Sequence, residues 1–277
     1  MKTWFITGAS RGFGALITER ALAKGDNVVA TARNPKAIAD RFGDHTNLLS
    51  VALDVTDEAQ AAAAADAAID RFGRIDVLVN NAGFGLLGAI EEATAEEVQA
   101  VYSTNVFGLL TVTRAVLPHM RHERSGRILN ISSIGGYRAA AGFGIYSSAK
   151  FAVEGISEAL HDELAPLGIH VTVVEPGYFR TDFLDASSLS VSPPRIADYD
   201  VTAGVVRRVA AEISHNQPGD PSKLADVLID FVDAANPPVR LPLGSDTVAA
   251  IEKKHAEDAA ILAAWRKVSA STDFARS

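Results

Sequence analysis

The chain has 277 residues, 48% of them hydrophobic and 22% charged, enough for a single large α/β unit with a sizeable core. Its net charge of −8 leaves no basic stripe to displace counterions, so nucleic acid is excluded as a partner. The absence of cysteine removes disulfides, zinc–thiolate sites and thiol catalysis, and fits a reducing cytoplasm.

Short β-rich runs alternate with helical patterns. "TWFIT" (3–7) reads as a strand, followed by a helix over 12–24 and a second strand, "NVVATA" (27–32). "NLLSVAL" (47–53) and "IDVLVN" (75–80) continue the strands, with a helix over 57–72 between them. A helix over 94–122, "RILNIS" (127–132), a helix over 145–166 and "IHVTVVE" (169–175) complete the regular part. Several of these strands are apolar on both faces, as buried parallel strands are. Strand and helix in strict alternation predict a Rossmann-like, doubly wound parallel sheet of about seven strands with helices on both faces.

Beyond Pro176 the rhythm changes. Residues 183–200 form a Ser-, Pro- and Asp-rich loop, long enough to imply a function. Helices over 201–215 and 221–235, a last strand "VRLPL" (239–243) and a terminal helix over 245–268 follow. Residues 1–277 thus read as one domain, in which 178–277 supply a substrate loop and a C-terminal helical extension. No run approaches the roughly 18 apolar residues of a membrane span. The start, "MKTWFITGAS", has neither a cationic region nor a cleavage site, so no membrane partner and a cytoplasmic location are expected.

"TGASRGFG", Thr7 to Gly14, lies between the first strand and the first helix. Glycines at 8, 12 and 14 permit a tight turn, close approach of backbone to a pyrophosphate, and close helix–sheet packing. The helix N-terminus adds unpaired N–H groups. The spacing is G-x-x-x-G-x-G, and with it the chain resembles the short-chain dehydrogenases/reductases, over roughly residues 1–185. "NNAG" (80–83), "LDV" (53–55) and "PGYFRT" (176–181) extend the resemblance in order. It implies a cofactor site comprising Gly8, Ser10, Arg11, Gly12, Phe13, Gly14, Arg33, Asp54, Val55, Asn81, Ala82, Gly83, Tyr146, Lys150, Pro176, Gly177, Phe179 and Thr181. Asp54 is expected at the exocyclic amine of adenine, Val55 against its ring, and Thr181 at the nicotinamide carboxamide.

The same resemblance assigns a catalytic tetrad: Asn105 in "YSTNVFG", Ser133 in "NISS", and Tyr146 and Lys150 in "YSSAK". A Tyr/Lys pair four apart on a helix is ordinarily a packing pair. Here a serine leaving a strand end can converge with it on one substrate oxygen. Carbonyl reduction places a hydride on carbon and a proton on oxygen, and Tyr146 would be that general acid. Its phenol needs a lowered pKa for the reverse reaction, which Lys150 and the oxidised nicotinamide would supply. Ser133 would polarise the carbonyl. By resemblance Lys150 also binds the ribose, and Asn105 holds a proton-relaying water.

Where an NAD-preferring enzyme carries an acid, the end of the second strand reads "ATARN". Arg33 and Arg11 can both serve a 2′-phosphate, so NADP(H) is expected over NAD(H). Phe84, Leu86, Ile134, Tyr137, Phe143, Phe179, Phe183 and Leu184 are expected to face the pocket, which predicts a hydrophobic ketone or aldehyde, or its alcohol, as substrate. Arg138 could anchor a carboxylate but reads as exposed, and no His/Asp/Glu spacing marks a metal site. The resemblance implies a homodimer or homotetramer paired through the helices at 94–122 and 145–166. The rival reading is a dinucleotide-sensing protein of the same fold without chemistry; it would be expected to lack part of the tetrad.

Overall fold

The structure, a computed structural model, describes residues 1–193 and 196–274. The elements run β1 (Thr3–Thr7), α1 (Gly12–Ala23), β2 (Asn27–Ala32), α2 (Lys36–Phe42), β3 (Leu48–Ala52), α3 (Glu58–Phe72), β4 (Val77–Asn80) and β5 (Gly85–Leu87). Then come α4 (Ala95–Tyr102), α5 (Leu109–Glu123), β6 (Gly126–Ile131), α6 (Gly144–Leu164), β7 (Ile169–Pro176) and β8 (Leu189–Val191). The chain closes with α7 (Ala203–Ile213), α8 (Pro221–Phe231), β9 (Arg240–Leu243) and α9 (Ser245–Ala270).

Seven strands form one parallel sheet in the order β3-β2-β1-β4-β6-β7-β9. Every residue of β1 and β2 is buried, because helices cover both faces. Successive side chains of β1 enter opposite layers. Trp4 and Ile6 join Ile17 of α1 and Leu224 and Leu228 of α8, whereas Phe5 joins Ala64 of α3, Val112 and Val116 of α5, and Ile128. The alanines of α3, of which 61, 64, 65 and 68 are buried, present a smooth face on which α5 packs closely. Winding reverses direction between β1 and β4, so the carboxyl ends of these two strands open a crevice.

The predicted helix over 94–122 is continuous but not uniform. A capping box starts it, in which Thr94 accepts from the Glu97 N–H at 3.2 Å and Glu97 accepts from the Thr94 N–H at 3.0 Å. Residues Ser103–Gly108 then widen into a π-helical segment between α4 and α5. By length and composition the run Ala95–Glu123 could cross a membrane. In the fold it is a core helix, with Val101, Val106, Val112, Val116 and Met120 buried.

Three short elements had no signature in the pattern. Helix α2 buries one residue, Ile38. Strands β5 and β8 have three residues each and pair in parallel across about a hundred positions. Strand β8 lies within the loop expected over 183–200, of which residues 194 and 195 fall outside the described residues. The terminal helix runs to Ala270, and every described residue from His255 to Phe274 is exposed.

Candidate active site

The end of β1 is tied to the end of β4 through Thr7. Its hydroxyl accepts from the backbone N–H groups of Asn81 and Ala82 at 2.9 and 3.0 Å, and the Asn81 amide donates to the carbonyls of Thr7 and Gly8. Gly8 and Gly12 take φ values of +65° and +54°, a region that favours glycine. A Cβ on Gly8 would stand 3.1 Å from the Ala82 backbone, while Gly12 opens onto free space. Gly14 does something else. It lies outside the crevice wall, and a Cβ there would fall 2.5 Å from the Gly8 carbonyl oxygen, so it is the residue that lets α1 close on the loop. Gly14→Ala is therefore expected to cost about 1–3 kcal/mol through overpacking, read as a melting temperature lowered by several degrees; an unchanged melting temperature would contradict this.

The Asn80 side chain continues the tie inward. It donates to the Thr113 hydroxyl and to the side-chain Oδ1 of Asn130, each at 2.9 Å, and the Asn130 side-chain amide donates to Ser157 of α6 at 2.9 Å. This buried chain links β4, β6 and α6 beneath the catalytic positions. It converts the "NNAG" string into a fixed distance between the glycine loop and the Tyr/Lys helix.

Three of the four predicted catalytic residues, Ser133, Tyr146 and Lys150, line the crevice, and Asn105 is buried behind Gly83 of its wall. Ser133 leaves β6 in extended conformation, its hydroxyl accepting from the Gly135 N–H at 3.0 Å. Tyr146 and Lys150 lie on the first turns of α6, 7% and 6% exposed. The Lys150 ammonium donates to the Ile131 carbonyl at 2.7 Å and stands 5.8 Å from the centre of the Tyr146 ring. Asn105 sits in the π-helical segment, and its side chain is committed to Phe84: it accepts from the Phe84 N–H at 3.1 Å and donates to the Phe84 carbonyl at 2.9 Å. Gly83 has no room for a Cβ that would not crowd Asn105, at 3.1 Å.

Electrostatics differ from the expectation at one point. Burial pushes the Tyr146 phenol up to about 12, with the Ser133 hydrogen bond pulling the other way. Lys150 is not among the groups that lower it, since its ammonium is turned to Ile131. Burial also brings Lys150 itself down to about 8, against the opposing charge of Glu154 one turn on. Behind this pair, Arg240 of β9 reaches Glu154 at 2.5 Å, Glu175 at 2.6 Å and Glu158 at 2.9 Å. Burial raises the Glu154 carboxyl despite the guanidinium. Only the fold could reveal this cluster, because Arg240 is 65 residues or more from each partner.

The crevice is a cavity of about 800 Å³. At one end Arg33, Asn34, Asp54 and Val55 line it; Asp54 accepts from the Thr56 N–H and hydroxyl at 3.0 and 2.8 Å. At the other end lie Pro176, Gly177, Phe179 and Thr181, with Phe179 edge-on to Phe13 at 5.5 Å. Phe84, Ile134, Phe143, Phe183 and Leu184 face the cavity as expected, and Phe143 and Phe183 stand against the Tyr146 ring at 6.1 and 5.4 Å.

Two pocket expectations are corrected. Leu86 is buried with Val101, Val106 and Ala149 behind the wall, because β5 turns it away from the crevice. Tyr137 is taken by α9: its hydroxyl meets His255 and its ring lies under Arg240 at 5.3 Å. Arg138 does line the cavity, with its guanidinium 3.8 Å from Glu257. Arg11 donates to the Ser187 carbonyl at 2.5 Å, which ties the loop following β7 to the glycine loop, and both Arg11 and Arg33 line the cavity. Folding also gathers Asp182, Asp185 and His215 within 4.8 Å, a grouping no spacing displayed; His215 pairs with Asp185 at 3.1 Å.

The donor set fits a dinucleotide. The N-terminus of α1 carries no side-chain cap, the glycine loop leaves the open cradle at Gly12, and both lie on the cavity that holds Tyr146 and Lys150. The family profile described as short chain dehydrogenase matches residues 2–190. The chain belongs to the short-chain dehydrogenase/reductase family. Among curated relatives of this oxidoreductase, the oxidoreductase BOA17 of Botryotinia fuckeliana is 40% identical over 97% of this chain and 98% of the relative. A 3-ketodihydrosphingosine reductase of Bacteroides thetaiotaomicron is 40% identical over 86% of each. A solved short-chain dehydrogenase of Streptomyces avermitilis superposes with a TM-score of 0.90 at 41% identity, over 99% of this chain and 100% of that one.

Solved structures of the same fold carry either nicotinamide cofactor. A Burkholderia phymatum short-chain dehydrogenase/reductase is bound to NAD (25% identity, 94% of both chains, TM-score 0.81). ElxO is bound to NADP (27% identity, 90% of this chain and 99% of that one, TM-score 0.74).

The depressed ammonium of this oxidoreductase has a consequence for pH. Lys150 binds its proton more weakly in the folded protein than at its ordinary 10.5, so its contribution to stability rises with pH between about 8 and 10.5. Its attraction for an anionic cofactor runs the other way and is lost above about 8. Titrations are expected to show constant dinucleotide affinity between about pH 6 and 7, weakening above 8 by at most about tenfold per pH unit. Lys150→Met should bind more weakly and without that slope, and a wild-type profile flat to pH 9.5 would contradict the assignment.

Proposed function

We propose that the protein is an NADP(H)-dependent oxidoreductase that interconverts a hydrophobic ketone or aldehyde and its alcohol. One observation carries the reading: Tyr146, with Ser133 beside it, stands in an apolar wall of the same cavity onto which the glycine loop opens. The bound dinucleotide supplies hydride chemistry. Tyr146 gives the proton to the carbonyl oxygen, and its protonated state at neutral pH suits that role. Ser133 donates to the same oxygen as negative charge develops there, while Phe143, Phe183 and Leu184 exclude water and favour an apolar substrate.

The preference for NADP(H) rests on Arg33, exposed at the adenine end of the cavity with no carboxylate at the end of β2. The relative named as a 3-ketodihydrosphingosine reductase supports a long apolar ketone as the substrate class. We also propose a homodimer built on α4, α5 and α6, where Phe107 and Phe151 remain 52% and 45% exposed.

A panel of apolar ketones and aldehydes offered with NADPH, followed at the absorbance of the reduced nicotinamide, tests the reading. Consumption is expected with long or cyclic apolar carbonyls. Activity confined to acidic or phosphorylated carbonyls would overturn it.

A further inference from the structure

Among the described residues, helix α9 is held to the rest of the chain near its start. Asp246 accepts from the Tyr178 N–H at 2.7 Å, Thr247 is fully buried, and His255 meets the Tyr137 hydroxyl. Past Glu257, which lies 3.8 Å from Arg138, the helix continues to Ala270 with every residue exposed. A helical stretch of this length without tertiary contacts is marginal in water, since most helical stability comes from packing an apolar face.

The stretch carries such a face. Ile261, Leu262, Trp265 and Val268 recur at the spacing of one helix side and are 60%, 54%, 61% and 58% exposed. Four large apolar side chains on one stripe, left in water by their own chain, have the composition of an interface core. The charges around the stripe say what covers it. Asp258 and Glu257 stand four and five residues before Leu262, and Arg266 and Lys267 four and five after it. The acids already pair within the helix, Asp258 with Lys254 and Glu257 with Lys253, whereas Arg266 and Lys267 make no ion pair among the described residues. A second copy of the same helix, laid antiparallel about a two-fold axis at Leu262, sets Asp258 of each copy beside Arg266 of the other. A parallel copy would set acid against acid. A lipid surface would call for lysine and arginine along the polar side, and this helix opens its stripe with two carboxylates.

We propose that two copies of this chain pair through α9, antiparallel, with Leu262 at the two-fold axis. The contact is isologous, the same stripe on both copies. It is separate from the pairing through α4, α5 and α6: alone it makes a dimer, and joined to that pairing it makes a tetramer. Tyr178 and Arg138 line the cavity, so pairing also fixes the helix that holds two residues of the active site.

The chain has no cysteine, so Leu262→Cys gives the full-length protein a single thiol at the axis. Oxidised with copper–phenanthroline, this variant is expected to run as a covalent dimer on a denaturing gel, because a disulfide needs Cα atoms within about 7 Å of each other. Lys36→Cys, an exposed position on α2, is the control and should stay at the mass of one chain. Leu262→Glu places two buried carboxylates at the axis and should weaken the contact at least about a hundredfold, halving the mass seen by light scattering. Arg266→Asp should weaken it about three- to thirtyfold, read from mass against concentration. Asp258→Arg combined with Arg266→Asp in one chain should restore it, since the two signs are then exchanged on both copies. Equal cross-linking of the two cysteine variants, no covalent dimer from Leu262→Cys, an unchanged mass in Leu262→Glu, or a double reversal no tighter than the single would overturn the proposal. So would wild type binding to anionic phospholipid vesicles through Leu262 without a covalent dimer, which would assign the stripe to a lipid surface.

Discussion

Tyr146→Phe should leave a protein that folds, binds NADPH with near-native affinity, and turns over about a hundred- to ten-thousandfold more slowly. The substitution removes one oxygen. The ring keeps its contacts with Phe143 and Phe183, and the lost hydroxyl sits in a site where burial already disfavours its charged form. Stability measured by thermal unfolding should therefore change little while the rate collapses. Two companions sharpen the test. Ser133→Ala should lower the rate with cofactor affinity intact, having lost a donor to the developing oxyanion. Lys150→Ala should weaken cofactor binding as well as rate, because the residue lines the cavity with its ammonium 5.8 Å from the centre of the Tyr146 ring, where it would meet a bound dinucleotide. A phenol at about 12 in the cofactor-free protein also predicts that alcohol oxidation accelerates as pH rises above neutrality, whereas carbonyl reduction stays flat through it. Near-normal turnover in Tyr146→Phe would remove the centre of the mechanism.

Arg33→Asp should invert cofactor choice. Arg33 is exposed at the adenine end of the cavity, next to Ala32 and Asn34, and makes no ion pair among the described residues. One charge-assisted contact from it to a 2′-phosphate would support a preference of about ten- to a hundred-and-fiftyfold for NADP(H). An aspartate there would repel the phosphate and accept from the ribose hydroxyls of NAD(H). Binding titrations with the two reduced cofactors, on wild type and variant, read the ratio directly. Arg11→Ala is the control: with its guanidinium on the Ser187 carbonyl, its loss should loosen the substrate loop and alter the ratio less. Equal NADH and NADPH affinities in wild type would refute the preference.

The sequence alone determined the parts whose chemistry is local. Alternating strands and helices specify a doubly wound sheet because periodicity records which face each segment buries. The glycine loop and the Tyr146/Lys150 pair are legible for a related reason: one tight turn, and one helix face, hold the required residues at fixed spacing. Tertiary structure decided whatever depends on segments far apart in the chain. Leu86 and Tyr137 looked like pocket residues until β5 and α9 took them elsewhere. The contact of Arg11 with the Ser187 carbonyl joins segments 176 residues apart. The Arg240 cluster behind Lys150 had no sequence signature at all. Hydrogen bonding and desolvation act over a few ångströms of space, and only folding sets which distant side chains come within that range.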